Sequence, residues 1–281
     1  EVKMKNEALQ IAKEADVIIC AMGETADMSG ECASRTNLEM PDVQQELLAE
    51  LAKTGKPVVL LNFAGRPTVL SWEKEHIPAI MNVWFGGSEV GDALCDVIFG
   101  DKVPSGKLTT SMPKTTGQEP LYYNHQNTGR PVPDDNQKFA KFASNCLDVS
   151  NGPLYPFGYG LSYTTFEYGD LKLSSHEVNT DDWKIIATIN VKNTGSRDAD
   201  EIVQLYIRDM VASISRPVKE LKGFQRIHLA AGESREISFD ITPEMLKFYN
   251  AELKHVIEPG DFQIMVGGNS KEVKTQNLTV K

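Results

Sequence analysis

The chain has 281 residues, 41% of them hydrophobic, and a formal net charge of −10. This length is sufficient for one large or two ordinary globular domains. The basic residues are scattered and outnumbered by acids, so we expect no nucleic-acid partner. No apolar run reaches the roughly 20 residues that a membrane-spanning helix needs, so we expect no membrane partner. The chain begins with "EVKMK" instead of Met and is interpreted as part of a longer protein.

The first 120 residues alternate between helical and strand patterns. Helical spacing in "KMKNEALQIAKE" precedes the apolar run "ADVIICAMG", and the helical segment "MPDVQQELLAELAKTG" precedes the apolar run "KPVVLLNFAG". "RPTVLSWEKEHI" predicts a helix, "PAIMNVWFGG" a third strand and "SEVGDALCDVIFG" a further helix. Short apolar runs between helices are typical of buried parallel strands. Residues 1–120 are therefore predicted to form an α/β domain with an open, doubly wound sheet.

The rest of the chain follows different patterns. Residues 121–165 are rich in Pro, Gly, Asn and Tyr and predict an irregular linker packed on neighbouring domains. From residue 166 to residue 281, alternating segments such as "IIATINV" and "EISFDI" are separated by turn signals such as "AAGES". This pattern predicts an immunoglobulin-like all-β sandwich.

Cysteines and histidines give no sign of a metal site. The four cysteines lack CxxC spacing, and Cys20 and Cys95 lie in apolar patterns, so the cysteines are predicted to be small buried hydrophobic residues. The five histidines have no partner at metal-ligand spacing, and we expect no metal and no cofactor. "GDKVPSGKL" has Leu108 where a phosphate-binding loop needs a hydroxyl, and it predicts a structural turn.

Four separated segments together resemble glycoside hydrolase family 3. They are "WFGGSEVGDALCDVIFGDKVPSGKLTTSMP", "LYPFGYGLSYTTF", "VKNTGSRDADEIVQLYI" and "RPVKELKGFQRIHLAAGES". They occur in the family's order, and the resemblance extends over nearly the whole chain and is strongest to bacterial periplasmic β-glucosidases. The resemblance implies that the sandwich is fibronectin type III-like and that a barrel preceding this region supplies the nucleophile. It also implies a periplasmic or secreted protein.

The loop "GETADMSGECASRTNLEMP", which follows the first predicted strand, is the candidate catalytic segment. Retaining glycosidases need two carboxyl groups about 5 to 5.5 Å apart, and in this family they come from different domains. The family spacing of a Glu four residues before an Arg selects Glu31 as acid/base, with Glu24 as a lower-ranked alternative. The family's more frequent Glu-Gly-x-Asp-Arg is here Glu31-Cys32-Ala33-Ser34-Arg35.

Other residues of this loop are predicted to shape it. A general acid that works near neutral pH needs a raised pKa, which burial or a neighbouring carboxylate provides. Asp27 and Glu24 are close enough in sequence to act in this way. Arg35 is predicted to hold the loop through Asp27 or Glu24, with direct substrate contact as the alternative.

The stretch "YYNHQNTGRP" combines aromatic, amide and cationic groups that suit a sugar. Packing of this stretch on the barrel or on a second subunit is an equally weighted interpretation. The residues concerned are Tyr122, Tyr123, His125 and Arg130. The only Asp-Trp pair, which begins at Asp182, is interpreted as a turn before a sandwich strand and not as a nucleophile.

The resemblance thus implies the C-terminal part of a retaining exo-β-glucosidase that acts on terminal β-D-glucosyl residues. This part would supply the acid/base and some of the aglycone site, and the isolated fragment is expected to be inactive. The expected partners are a β-glucoside or oligosaccharide, the barrel domain and, in a homodimer, a second copy. A non-catalytic carbohydrate-binding or assembly module and a β-xylosidase of the same family are the alternatives.

Overall fold

The computed structural model describes residues 2–132, 135–136 and 139–281. The chain divides into two compact units. The first comprises Glu1–Leu94 and Met112–Leu121, and the second comprises Cys95–Ser111 and Tyr122–Lys281. The boundaries predicted after residues 120 and 165 stay predictions. Within the described ranges, no helix has both the length and the apolar character needed to cross a membrane.

The first unit is built on a sheet of three parallel strands in the order β1-β2-β3. The strands are β1 (Ile18–Gly23), β2 (Val58–Phe63) and β3 (Ala79–Asn82). The helices are α1 (Val2–Glu14), α2 (Asp42–Ala52), α3 (Ser71–His76) and α4 (Val90–Ile98), the last spanning the division between the units. Leu48 of α2 and Leu60 of β2 are completely buried in a core that also contains Ala12 and Ile77. The predicted α/β class of this region is confirmed.

The third helix is shorter than its sequence pattern predicts. The pattern covered residues 66–77, but the helix begins at Ser71. The Val69 amide donates to the Leu38 carbonyl, and Val69 forms a parallel bridge with Glu39. Because this pairing needs extended backbone, the segment before Ser71 cannot join the helix.

The cysteine prediction holds for Cys20 alone. Cys20 on β1 is buried, and this burial raises the pKa of its thiol. Cys32 and Cys95 are exposed, Cys146 is half-buried, and all four are free, so the prediction of burial is wrong for Cys32 and Cys95. Cys32 lies in an exposed turn, and none of the residues of α4, which carries Cys95, is buried. An apolar pattern on a helix predicts burial only where another element covers that face.

In the described part of the second unit, a four-stranded and a five-stranded sheet enclose one core. One sheet has the order β10-β7-β4, with β5 also paired to β7, and the other has the order β6-β14-β13-β8-β9. The longer strands are β7 (Ile185–Asn193), β8 (Ala199–Asp209), β9 (Glu220–Leu229), β10 (Ser234–Ile241), β13 (Gly260–Gly267) and β14 (Val273–Val280). The shorter elements are β4 (Phe166–Tyr168), β5 (Lys172–Leu173), β6 (Glu177–Val178), α5 (Pro243–Leu246), β11 (Phe248–Tyr249) and β12 (His255–Val256), and β11 pairs with β12.

Alternation along these strands explains the sandwich. On β7, Ile185, Ala187, Ile189 and Val191 are buried, while Ile186 between the first two is exposed. The buried side chains join those of the other sheet, including Leu205, in a single cluster. A strand with one buried face is expected from period-two alternation, and the predicted all-β sandwich is confirmed.

The "VPSGKL" segment belongs to the second unit, where its lysine is paired with a buried acid. Lys107 Nζ lies 3.1 Å from Glu201 Oε2, and the two side chains are 14% and 5% exposed. The Tyr168 hydroxyl donates to Glu201 Oε1 at 2.8 Å. Since an unpaired buried carboxylate is costly, Lys107 stabilises the sandwich by neutralising Glu201.

Candidate active site

The candidate site begins where β1 ends and the chain leaves the sheet. Gly23 has a φ of 128°, and a Cβ at this position would lie 2.0 Å from the Phe63 carbonyl oxygen, so no other residue fits. The Gly23 amide donates to Gln44 Oε1 at 2.7 Å, and Gln44 Nε2 donates to the Gly23 carbonyl at 3.1 Å. These contacts with β2 and α2 fix the start of the loop.

Glu24, the next residue, is buried, accepts two hydrogen bonds and forms a further ion pair. Its side chain is 1% exposed, and Arg35 Nη1 donates to Oε1 at 3.1 Å. The Gly65 amide donates to Oε2 at 3.1 Å. Arg66 Nε lies 3.0 Å from Oε1, an ion pair whose geometry is not that of a hydrogen bond. Protein groups therefore bind both oxygens of the Glu24 carboxylate.

Arg66 also binds the turn that carries Glu31. Its Nη2 donates to the Met28 carbonyl at 2.7 Å and to the Ala33 carbonyl at 3.0 Å. The Ala33 amide also donates to the Gly30 carbonyl at 3.2 Å, which closes a tight turn. We call residues 30–33 the Glu31 turn. A single guanidinium thus binds the backbone before this turn, at Met28, and at its last residue, Ala33.

The other carboxyl groups of the loop are exposed. Glu31 lies in the Glu31 turn with its side chain in solvent, and Asp27 lies in the short 3-10 turn Ala26–Met28, also exposed. Of the two predicted partners of Arg35, the structure pairs it with Glu24, and Arg35 Nη2 also donates to the Glu39 carbonyl at 3.0 Å. The loop therefore has one buried acid that anchors it, Glu24, and exposed acids, of which the Glu31 turn carries Glu31.

The aromatic stretch before residue 131 lies in the second unit. Tyr123 packs in the protein, because its ring stacks on Phe157 at 4.1 Å and its hydroxyl accepts a hydrogen bond from the Leu221 amide at 3.3 Å. The three other candidate residues of this stretch, Tyr122, His125 and Arg130, are exposed. The stretch is held in place by backbone pairing, in which the Val218 amide donates to the His125 carbonyl at 3.0 Å.

Three residues of this arrangement were missed by the sequence analysis: Gln44, Gly65 and Arg66. A signal for two of them was present. Gly65 and Arg66 follow the second apolar run, and parallel neighbouring strands end at the same edge of a sheet. Residues that follow β2 were therefore candidates for contact with the loop that follows β1. In the described part of the chain, no group of three or more His, Cys, Asp or Glu residues could hold a metal ion.

Comparison with known proteins identifies the family of this chain. Residues 2–163 match the glycosyl hydrolase family 3 C-terminal domain, and residues 201–270 match the fibronectin type III-like domain. A periplasmic beta-glucosidase of Salmonella typhimurium is 48% identical over 271 residues, which are 96% of this chain and 35% of that protein. A beta-xylosidase of Formosa agariphila is 41% identical over 98% of this chain and 37% of its own length.

Solved structures agree with the sequence comparisons. The crystal structure of a beta-glucosidase from Listeria innocua in complex with gluconolactone superposes with a TM-score of 0.94 and 38% identity, covering 100% of this chain and 38% of that chain. The chain thus spans just over a third of the length of these relatives. The resemblance stated from sequence motifs is confirmed, and the chain belongs to glycosyl hydrolase family 3, with the family's C-terminal domain followed by a fibronectin type III-like domain.

Proposed function

We propose that this chain is the C-terminal part of a retaining exo-β-glucosidase and that Glu31 is the acid/base residue. The enzyme would remove terminal β-D-glucosyl residues, and a barrel domain would supply the nucleophile. The observation that carries the proposal is the contrast between Glu31, which a short turn exposes, and Glu24, whose carboxylate is bound by protein donors. The proposal rests on this chain's membership of the family.

Accessibility favours Glu31 over Glu24. A general acid must come within about 2.6 to 3.2 Å of the oxygen that it protonates. Glu24 has a side chain that is 1% exposed, and its two oxygens already accept contacts from Arg35, Arg66 and the Gly65 amide. Protonating a substrate from Glu24 would require these contacts to break. Glu31 can approach a glycosidic oxygen without breaking any of them.

The proposed chemistry has two steps. In the first, a carboxylate of the barrel attacks the anomeric carbon while the Glu31 carboxyl group protonates the leaving oxygen. In the second, the Glu31 carboxylate takes a proton from water, which displaces the sugar from the nucleophile. The retaining geometry places the two carboxyl groups about 5 to 5.5 Å apart. Asp27 and Arg35 would shape the loop around this carboxyl group.

The exposed side chains of Tyr122, His125 and Arg130 suit a role at the aglycone. Aromatic and imidazole rings stack on sugar faces, and a guanidinium donates to hydroxyl groups. For Tyr123 the packing role is the one proposed, because its ring stacks on Phe157 and its hydroxyl accepts from the Leu221 amide. The proposed partners are a β-glucoside or oligosaccharide, the barrel domain and, in a homodimer, a second copy. A periplasmic or secreted location is proposed from the name of the Salmonella relative.

Leaving-group dependence in the complete enzyme tests the assignment. Glu31→Ala should lower kcat/KM for alkyl β-glucosides by about 10² to 10⁴-fold, the usual contribution of general acid catalysis. Dinitrophenyl β-glucosides should lose far less in the first step, because their leaving group needs no proton. Azide should accelerate the variant by replacing the water that Glu31 would activate. The control is Glu46→Ala, which removes a side chain that is 72% exposed.

An equal loss on both substrate classes would reject Glu31 as the acid/base. The Formosa relative makes a β-xylosidase the second candidate. A higher kcat/KM for aryl β-xylosides than for aryl β-glucosides would reassign the sugar and leave the role of Glu31 intact. Binding of oligosaccharide by the complete protein without hydrolysis of either sugar would favour the non-catalytic module.

A further inference from the structure

Arg66 connects the end of β2 to the Glu31 turn. It is one of two arginines that contact the buried carboxylate of Glu24, the other being Arg35. Arg66 alone of these two donates to the Met28 and Ala33 carbonyls, which lie before the Glu31 turn and at its last residue. The second contact of Arg35 goes to the Glu39 carbonyl, outside the turn. The two arginines therefore share an anchor but differ in what they position.

The Glu31 turn depends on such a contact because it is short and exposed. Cys32 has a φ of 62°, in the left-handed region that non-glycine residues seldom adopt. The neighbouring Gly65 approaches Ser29 so closely that a Cβ on Gly65 would lie 1.9 Å from the Ser29 hydroxyl oxygen. A turn of this kind, with a strained residue and an exposed functional side chain, keeps its shape only where surrounding structure fixes it.

A guanidinium is suited to this task. It is planar, permanently charged and presents five donors in a fixed arrangement, so several acceptors can be held at defined angles. Arg66 is 19% exposed, and Glu24, which compensates its charge, is in turn held by the Gly65 amide. One rigid group thus links the end of β2 to the backbone before the Glu31 turn and at its last residue.

We propose that Arg66 is a positioning residue that sets where the Glu31 carboxyl group stands relative to the glycosidic oxygen. The inference rests on the proposed function of Glu31 and adds a second residue to it. Misplacing a catalytic group by about 1 Å can cost about 10²-fold in rate. Loss of Arg66 should therefore weaken proton donation specifically, while the attack by the nucleophile is retained.

The test uses the complete enzyme and a series of aryl β-glucosides with graded leaving-group pKa. The readout is the slope of log(kcat/KM) against leaving-group pKa, which steepens when protonation of the leaving oxygen is impaired. Arg66→Ala should steepen the slope, with a loss of about 10- to 100-fold for the poorest leaving group and about threefold or less for the best. Arg35→Ala is the comparison variant: it removes the other guanidinium that contacts Glu24 and leaves the Met28 and Ala33 carbonyls bound to Arg66, so it should steepen the slope less.

Two comparisons decide the outcome. Arg66→Ala should add no further steepening when Glu31 is already alanine, since its effect acts through Glu31. The inference is overturned if Arg66→Ala leaves the slope unchanged, if Arg35→Ala steepens it as much, or if the Arg66 effect persists in the Glu31→Ala background. If Arg66→Ala does not fold, Arg66→Lys takes its place under the same criteria, because an ammonium keeps the charge and lacks the planar array of donors. A shallow slope for Glu31→Ala itself would refute the proposed function independently of Arg66.

Discussion

Glu24→Gln should be strongly destabilising although the two side chains have nearly the same shape. The Glu24 carboxylate accepts from Arg35 and from the Gly65 amide on its two oxygens, and it is paired with Arg66. A glutamine side chain has one acceptor oxygen and one NH2 group, so its NH2 group must face one of these donors. The hydrogen bond or ion pair at that position is then replaced by a repulsive contact between two donors. The substitution also leaves two guanidinium groups without their counter-charge.

The magnitude follows from burial. Removing one partner of a buried ion pair costs about 3 to 5 kcal/mol, because the remaining charge is uncompensated. The side chains of Arg35 and Arg66 are 18% and 19% exposed, so water can reach them in part and the lower end of the range applies. At about 1.4 kcal/mol for each factor of ten, a loss of about 3 kcal/mol corresponds to roughly a 100-fold change in an equilibrium.

Hydrogen exchange of the Gly65 amide in the complete enzyme measures this effect directly, because Glu24 accepts its hydrogen bond. Protection at Gly65 should fall by roughly 100-fold in Glu24→Gln. The control is Asp240→Asn, which breaks an ion pair with Lys184 whose side chains are 59% and 57% exposed. Exposed pairs contribute about 0 to 1 kcal/mol, so its thermal unfolding should hardly change. Gly65 protection within about threefold of the wild type would refute the anchoring role of Glu24.

Two further predictions concern buried charges outside the loop. Burial is the main cause of the raised pKa of Glu73; the charge of Glu39 also raises this pKa, whereas Gln45 and His76 lower it. The folded state therefore favours the protonated carboxyl group, and the protein loses stability as pH rises above the ordinary pKa of 4.5. Glu73→Gln should therefore unfold at a higher temperature than the wild type at pH 7, with the difference vanishing at acidic pH, and a difference independent of pH would contradict this. Lys107→Met should cost about 3 to 5 kcal/mol in thermal or denaturant unfolding by leaving Glu201 unpaired. Adding Glu201→Gln should recover most of the loss, and a double variant as unstable as the single one would count against the ion pair.

Local patterns predicted the elements of this chain well. The alternation from Ile185 to Val191 indicates a strand with one buried face, and the structure has it. The apolar runs before Gly23 and after Pro57 are the first two strands of a parallel sheet. Such predictions succeed because the period of the side-chain pattern is a property of a single segment.

Contacts between segments were harder to predict. Gly23 is paired with Phe63, so the residues after each strand end lie side by side, and Glu24 meets Gly65 and Arg66. These contacts depend on which strands are adjacent and on the register of their pairing. Local periodicity predicts neither the strand order nor the register. The sequence accordingly singled out Glu24 and Arg35 but not Arg66.

The predicted burial of Cys95 is wrong for a related reason. Cys95 lies in the strongly apolar segment "GDALCDVIF", yet it is exposed. A pattern states which face of a helix is apolar, whereas burial also requires something to cover that face. In α4 none of the residues is buried.

The division of the chain has a consequence for cutting and recombining such enzymes. The polypeptide passes into the second unit at Cys95, returns to the first at Met112 and leaves it again at Tyr122. Lys107, on the first of these passages, neutralises Glu201 of β8. A recombinant sandwich that starts at residue 166 would contain the buried Glu201 carboxylate but not Lys107, which pairs with it. A chimera that exchanges residues 95–111 together with residues 122–281 would keep the pair intact.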